Sequence, residues 1–358
     1  MTPSTRSTFL SQQLSFIFLL MLFSGMTTCI RGFTAHRHPT KISHCRSFHS
    51  TTARFLNRFL FDNLETESED TSNATHASSS ETIPRVILSK DDYRTVHAAK
   101  TLGLSNGDRI RAGVVSCEEH NGLWTDDATI EWIPEGKIKK PEVLKNGNPP
   151  GSLSIQLNNL LPPTDAPSDQ ILVSLLLALP RPLQLGRMLP MISQMGVDQL
   201  ILTSADKVPK DYFGSHLFRK PEKLQELMIE GLCQAGDVRL PKLTVIRNLR
   251  RFLDEDLDDV FPAAEYARVI AHPKRANDTK EPLRLGQVQF PTTSPPRMVL
   301  AVGPEGGWTE PDELDLFQKH GFQQCTLGTR ILRSDCAVVS LLGLAHEVCY
   351  QQGQEPQQ

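Results

Sequence analysis

Met298-Val299-Leu300-Ala301-Val302-Gly303-Pro304-Glu305-Gly306-Gly307-Trp308-Thr309 is the stretch on which the fold turns. Five apolar residues run without a break into a turn that holds three glycines and a proline. A strand buried on both faces reads as such a run, because helices cover both sides of a parallel sheet. Glycine lets a ligand approach the main chain closely, since no Cβ intervenes. The C-terminal edge of a parallel sheet is where α/β folds hold small ligands. A helix is expected next, with Thr309 as its N-cap and Asp312 at the capping-box position.

Downstream, residues 327–335 read Leu327-Gly328-Thr329-Arg330-Ile331-Leu332-Arg333-Ser334-Asp335. A short strand is expected over 325–327. An apolar helix is expected over 336–350, with Ser334 or Asp335 as N-cap. Two arginines flank an apolar pair at a helix start. Apolar residues between charges in a loop suit a flat ligand such as adenine; the plainer reading of Arg330 and Arg333 is a surface ion pair. For Glu305 the plainer reading is loop or helix capping, and for Trp308 it is core packing.

Upstream, the wholly apolar 171–179 is expected to be another buried strand, followed by strands over 199–203, 242–246 and 266–272. Leu185, Leu189 and Ile192 share one helical face, with Pro190 a bend and Gly196 the end. Pro221 opens a helix that turns Leu224, Leu227, Met228 and Leu232 toward the sheet. Alternating strand and helix implies a parallel sheet. Residues 162–168 read as a linker.

The part before the linker is β-rich. Strands are expected over 57–61, 85–88, 109–115, 128–133 and 152–157. A short helix is expected over 90–102, with Asp91 and Asp92 in its first turn and Gly103 at its end. Residues 65–82 are acidic and Ser-rich, hence a solvated loop, in which the sequon at Asn73 is expected to be idle. Small barrels of this kind often present a face to RNA.

Residues 1–56 read as a targeting segment and 351–358 as a disordered tail. The apolar run 14–23 is too short to span a bilayer and fits a signal-peptide core; a basic, acid-free, Ser/Thr-rich stretch follows it. That order suggests import into a complex plastid, with a mitochondrial presequence as the alternative. No other long apolar segment occurs, so the mature form is expected off the membrane.

Charge and motifs exclude several classes. The net charge of −3 conceals an asymmetry: residues 1–61 hold seven bases and no acid, leaving −10 for the remainder. A body this acidic does not hold nucleic acid by bulk charge, so RNA binding requires a local basic patch. The seven cysteines form no C-x-x-C pair, which argues against structural zinc and a disulfide framework. Cys336 reads as packing more than as a nucleophile. P-loop, dinucleotide, hydrolase-elbow and H-E-x-x-H motifs are missing.

Together, GPEGGWTEPDE at 303–313 and LGTRILRSDCA at 327–337 resemble the paired signatures of the RsmE family of uridine-N3 methyltransferases acting on small-subunit ribosomal RNA. Weaker likeness lies at 58–61, 102–110, 191–202 and 231–241, so the resemblance spans most of 57–350. It implies a PUA-like β-barrel for RNA over 57–161. Over 168–350 it implies an α/β SPOUT-type domain, a parallel sheet with a C-terminal trefoil knot. S-adenosyl-L-methionine would bind among the knot loops without metal, and two subunits would form a homodimer on the small ribosomal subunit. Carried onto this chain, Gly303, Glu305, Gly306, Leu327, Gly328, Ile331 and Leu332 would hold the cofactor. Arg333, then Arg330, would stabilise charge on the uracil oxygens once N3 loses its proton, and Glu305 could accept that proton. Arg58, Arg85, Arg109, Arg247, Arg250, Arg251 and Lys220 are candidate RNA contacts.

This chain departs from the family pattern in having Asp335-Cys336 for Glu-Thr, and Gly231 and Cys233 for Ala and Glu. It also has Asp237 near an expected arginine, and Arg181-Pro182 at a usually lysine-containing place. The change at 335–336 leaves open a non-catalytic, rRNA-binding ribosome-assembly factor.

Overall fold

The computed structural model describes residues 58–62, 83–117, 122–135, 148–164, 170, 172–275, 281–292 and 295–354. The expected targeting segment, the acidic loop 65–82 and the sequon lie outside them.

Five strands form the first sheet: β1 (Arg58–Phe61), β2 (Arg85–Leu88), β3 (Arg109–Val114), β4 (Leu123–Pro134) and β5 (Gly151–Leu157). Their order is β1-β3-β4-β5-β2, with only β1 and β3 parallel among the pairs. β4 starts five residues before the expected strand. Its polar beginning, Thr125 and Asp126, hides the alternation, and pairing with β3 carries the strand outward. Helix α1 (Tyr93–Lys100) starts later than expected: Asp92 is its N-cap, accepting the Arg94 N–H at 2.8 Å, so neither aspartate lies in the first turn. Trp132 fills this core and donates from Nε1 to the Leu104 carbonyl at 2.9 Å.

The second sheet is wholly parallel: β6 (Val173–Ala178), β7 (Gln199–Thr203), β8 (Lys242–Ile246), β9 (Tyr266–Ala271), β10 (Arg297–Val302) and β11 (Gln323–Cys325). Its order is β11-β9-β10-β6-β7-β8. Every residue of β6 is buried, as its unbroken apolar run requires. The chain winds outward through β7 to β8, crosses to β9, then inserts β10 between β9 and β6. The order reverses beside β6, where a ligand crevice opens outside the strand ends.

The principal helices of this part are α2 (Pro182–Gln194), α3 (Pro221–Ala235), α4 (Asp312–Lys319) and α5 (Ser334–Gln354). Leu185, Leu189 and Ile192 are buried on α2, and Leu224, Met228 and Leu232 on α3, while Leu227 is half-buried. Helix α5 starts earlier than expected, so Ser334 and Asp335 lie inside it; the Arg333 carbonyl accepts the Ala337 N–H at 2.8 Å. It also runs to Gln354, into the expected tail, where Tyr350 to Gln354 are exposed beyond Cys349, its last buried residue.

Candidate active site

The loops after β6, β7, β9, β10 and β11 meet at the C-terminal edge of the parallel sheet around a cavity of about 1110 Å³. Gly303, Glu305, Gly306, Leu327, Arg330, Ile331, Leu332 and Arg333 line it. Both sequence-predicted loops thus face one space, because β10 and β11 both flank β9.

Gly328 is not on the wall. Its φ of +131° and the 3.2 Å bond from its N–H to Thr326 Oγ1 turn the loop that presents Arg330 to Arg333. Helix α4 begins at Asp312, not directly after Thr309. A residue before proline is steered away from the helical region, and Pro311 therefore delays the first turn. The capping carboxylate is Glu313, not Asp312. Buried Glu313 accepts the N–H and hydroxyl of Thr309 at 2.7 and 3.1 Å, and the Asp206 N–H at 2.8 Å.

The glycine turn is fastened from outside as well. Lys207 donates to the Gly306 and Trp308 carbonyls at 2.8 and 3.3 Å. Glu305 accepts the Arg181 N–H at 3.1 Å, joining the turn to the start of α2. The capping reading of Glu305 therefore holds for one of its oxygens. Trp308 is buried edge-on to Phe317, centroids 4.8 Å apart, which is core packing. Its Nε1 is buried without a protein acceptor and faces Gly303, where a Cβ would lie 3.2 Å away.

Arg333 makes a surface ion pair with Asp335 at 3.1 Å, its own side chain 72% exposed. Such a pair contributes roughly 0–1 kcal/mol, so the guanidinium stays available to a ligand. Asp335 also accepts from Gln184 at 2.7 Å. Arg330 is exposed and has no ion pair among the described residues. Ile331 is 90% exposed beside it.

Arg181, Lys207 and His272 also line the cavity, and sequence reasoning did not single them out as site residues. Their common signal is position: each follows a strand at the same sheet edge. His272 lies directly after β9 and meets Glu310 Oε1 through Nε2 at 3.0 Å.

The candidate RNA contacts divide. Arg58 is buried, holding Asp126 at 3.2 Å under Trp124, and cannot meet RNA as placed. Burial holds its guanidinium below its ordinary pKa, opposed by Asp126. Arg85, Arg109 and Arg251 pair with Glu131, Asp127 and Glu255. Arg247 lies over the Phe213 ring, 5.7 Å from its centroid. Arg250 and Lys220 are exposed without an ion pair among the described residues. Cys336 is exposed at the start of α5. No group of three His, Cys, Asp or Glu suits a metal ion, and no helix is long and apolar enough to cross a membrane, among the described residues.

A family model described as an RNA methyltransferase domain matches residues 167–346, which contain the whole parallel sheet and the cavity. The chain belongs to that family. A ribosomal RNA small subunit methyltransferase E of Treponema pallidum is 33% identical over 171 residues, 46% of this chain and 60% of the relative. The protein of the same name in Mesomycoplasma hyopneumoniae is 26% identical over 149 residues, 42% of this chain and 58% of the relative. The chain thus spans less than two thirds of the length of these curated relatives. A ribosomal RNA small subunit methyltransferase E from Neisseria gonorrhoeae, solved bound to S-adenosyl methionine, is 19% identical. It superposes with a TM-score of 0.54 over 82% of this chain and 98% of that one. A probable rRNA-methyltransferase from Porphyromonas gingivalis has a TM-score of 0.51 at 17% identity, over 74% of this chain and 94% of that one. At these identities the likeness is one of fold.

Proposed function

We propose that this chain transfers a methyl group from S-adenosyl-L-methionine to N3 of a uridine in small-subunit, 16S-type ribosomal RNA. One observation carries the reading: two glycine-bearing loops, after the strands on either side of β9, line a single cavity with two available guanidiniums. The curated relatives named as small-subunit rRNA methyltransferases support it, as does the donor bound in the Neisseria structure.

The residues present suit the donor. Gly303 and Gly306 expose main chain, Leu327, Ile331 and Leu332 offer apolar surface, and Trp308 Nε1 is an unused buried donor. When bound, S-adenosylmethionine supplies a methyl on a sulfonium, whose leaving group is neutral. Arg333, with Arg330 second, neutralises the charge that spreads over O2 and O4 of uracil as N3 is deprotonated. Holding the base in line with the donor contributes several kcal/mol, roughly 7–11 at most. The base must leave its stack to enter.

The same reading makes the first sheet a PUA-like RNA-binding unit, the loops around the cavity a trefoil knot of SPOUT type, and the working form a homodimer in a plastid or mitochondrion. Exposed Leu183 on α2, Ile331 and Leu332 in the loop before α5, and Leu344 and Tyr350 on α5 support a second copy.

Methylation of organelle small-subunit rRNA with labelled donor, followed by nucleoside mapping, tests the proposal. N3-methyluridine at one position is expected, and a methyl on any other atom refutes the chemistry. The non-catalytic alternative draws on Asp335-Cys336. Isothermal titration decides between the two, since absence of donor binding favours the assembly factor.

A further inference from the structure

Glu305, Glu310 and His272 are the carboxylates and imidazole on the cavity wall. Glu305 is tied to the Arg181 N–H. Glu310, 45% exposed, faces His272 Nε2 at 3.0 Å, while the imidazole itself is only 10% exposed. A neutral imidazole that donates from Nε2 to this carboxylate leaves its Nδ1 lone pair free. Nδ1 has no hydrogen-bond partner among the described residues.

The ring's place is set by its backbone. The His272 N–H donates to the Cys325 carbonyl at 3.0 Å, and Gln324 Nε2 donates to the Pro273 carbonyl at 2.8 Å. Gly307, at φ +66°, covers the ring without a side chain; a Cβ there would lie 3.8 Å from His272 Cε1. Arg330 and Arg333 share the cavity with this imidazole.

We infer that His272 Nδ1 is the proton acceptor of the reaction, with Glu310 as the positioning residue that fixes its tautomer. This rests on the uridine-N3 reading above. The N3–H bond breaks and its proton passes to Nδ1. The pair left on N3 forms the bond to the methyl carbon while the methyl–sulfur bond breaks, its pair remaining on sulfur. The imidazolium then releases the proton to solvent. Imidazole suits a proton transfer near neutral pH better than a carboxylate does.

The charged groups that share the cavity with the ring are Glu310, Glu305, Arg330 and Arg333 from the loop before α5, Lys207 after β7, Arg181 after β6 and Lys274 on its own segment.

Single-turnover methylation of the rRNA, across pH, tests the assignment on the full chain. The wild-type rate is expected to rise with pH through the imidazole range. His272→Gln is expected to lose that rise and at least roughly 100-fold in rate. Glu310→Gln is expected to shift the rise to lower pH. A readout free of donor and RNA is the imidazole ¹⁵N spectrum: the Nε2–H tautomer is expected in the wild type, and a mixed population in Glu310→Gln. If His272→Gln keeps the wild-type rate and pH profile while N3-methyluridine forms, the assignment is overturned and the function stands. If the wild type makes no N3-methyluridine, both fall. Should His272→Gln not fold, an Nδ1–H tautomer in the wild type or an unmoved profile in Glu310→Gln overturns it.

Discussion

Arg333 spends most of its surface in water, and among the described residues its side chain is held by the ion pair with Asp335. Removing it therefore leaves the fold alone. Arg333→Ala is predicted to lower the single-turnover rate roughly 100- to 1000-fold, with donor affinity in calorimetry unchanged. Near-normal turnover would remove it from the mechanism. His346, on α5, behaves oppositely. Burial holds its imidazole below the ordinary value of 6.5, outweighing bonds to the Gly196 and Met195 backbone, and Nε2 has no partner. The unfolded chain takes up that proton first, so stability is full above pH 6.5 and falls as pH drops toward the lower native value. His346→Gln is predicted to flatten this loss, read by denaturant unfolding at about pH 7.5 and about pH 5.5. An identical pH slope in both proteins would exclude His346 as its source.

At the scale of elements, the crossing of α2 and α3 depends on one missing side chain. A Cβ at Gly231 would sit 2.1 Å from the Pro190 carbonyl oxygen and 2.2 Å from Ser193 Oγ. Ser193 itself bridges the helices by donating to the Met228 carbonyl at 2.7 Å. The departure from the family's alanine at 231 is thus a packing feature. Gly231→Ala is predicted to cost about 1–3 kcal/mol in denaturant unfolding, although alanine is the better helix former. A stabilised variant would show that propensity outweighs the contact. The start of α4 is the second such case. Glu313→Ala leaves the Asp206 and Thr309 N–H groups without their acceptor. It is predicted to lose about 1–3 kcal/mol of stability and to weaken donor binding, because the glycine turn loses its anchor. Unchanged calorimetric affinity would separate the staple from the site.

For the molecule as a whole, Leu60, Val115, Ile229, Leu232 and Val238 form a cluster that joins the first sheet to α3 and the segment after it. Val238 lies against bare backbone: a Cβ at Gly113 would be 2.7 Å from its Cγ1. Hydrogen bonds reinforce the seam, from the Ser116 N–H to the Val238 carbonyl at 2.8 Å and from the Leu240 N–H to Ser116 Oγ at 2.7 Å. Leu60→Ala is predicted to cost about 2–5 kcal/mol. It should also separate the unfolding of Trp124 and Trp132 in the first sheet from that of Trp308 beside the cavity, followed in variants that keep one set. Coincident transitions in Leu60→Ala would mean that the cluster does not couple the two parts.

The chain's order of amino acids determined its strands and helices wherever burial is two-sided or periodic. The runs at 173–178 and 298–302 and the faces of α2 and α3 needed no partner to be read, because local pattern reports local burial. It also exposed both glycine loops, since a backbone without Cβ is visible in composition. Tertiary structure alone decided which charges act together. Arg58 reads as a surface base and is buried; Glu305 meets Arg181 from 124 residues away, and Glu310 meets His272 from 38. Those meetings follow from the insertion of β10 between β9 and β6, a long-range strand pairing that no local pattern encodes.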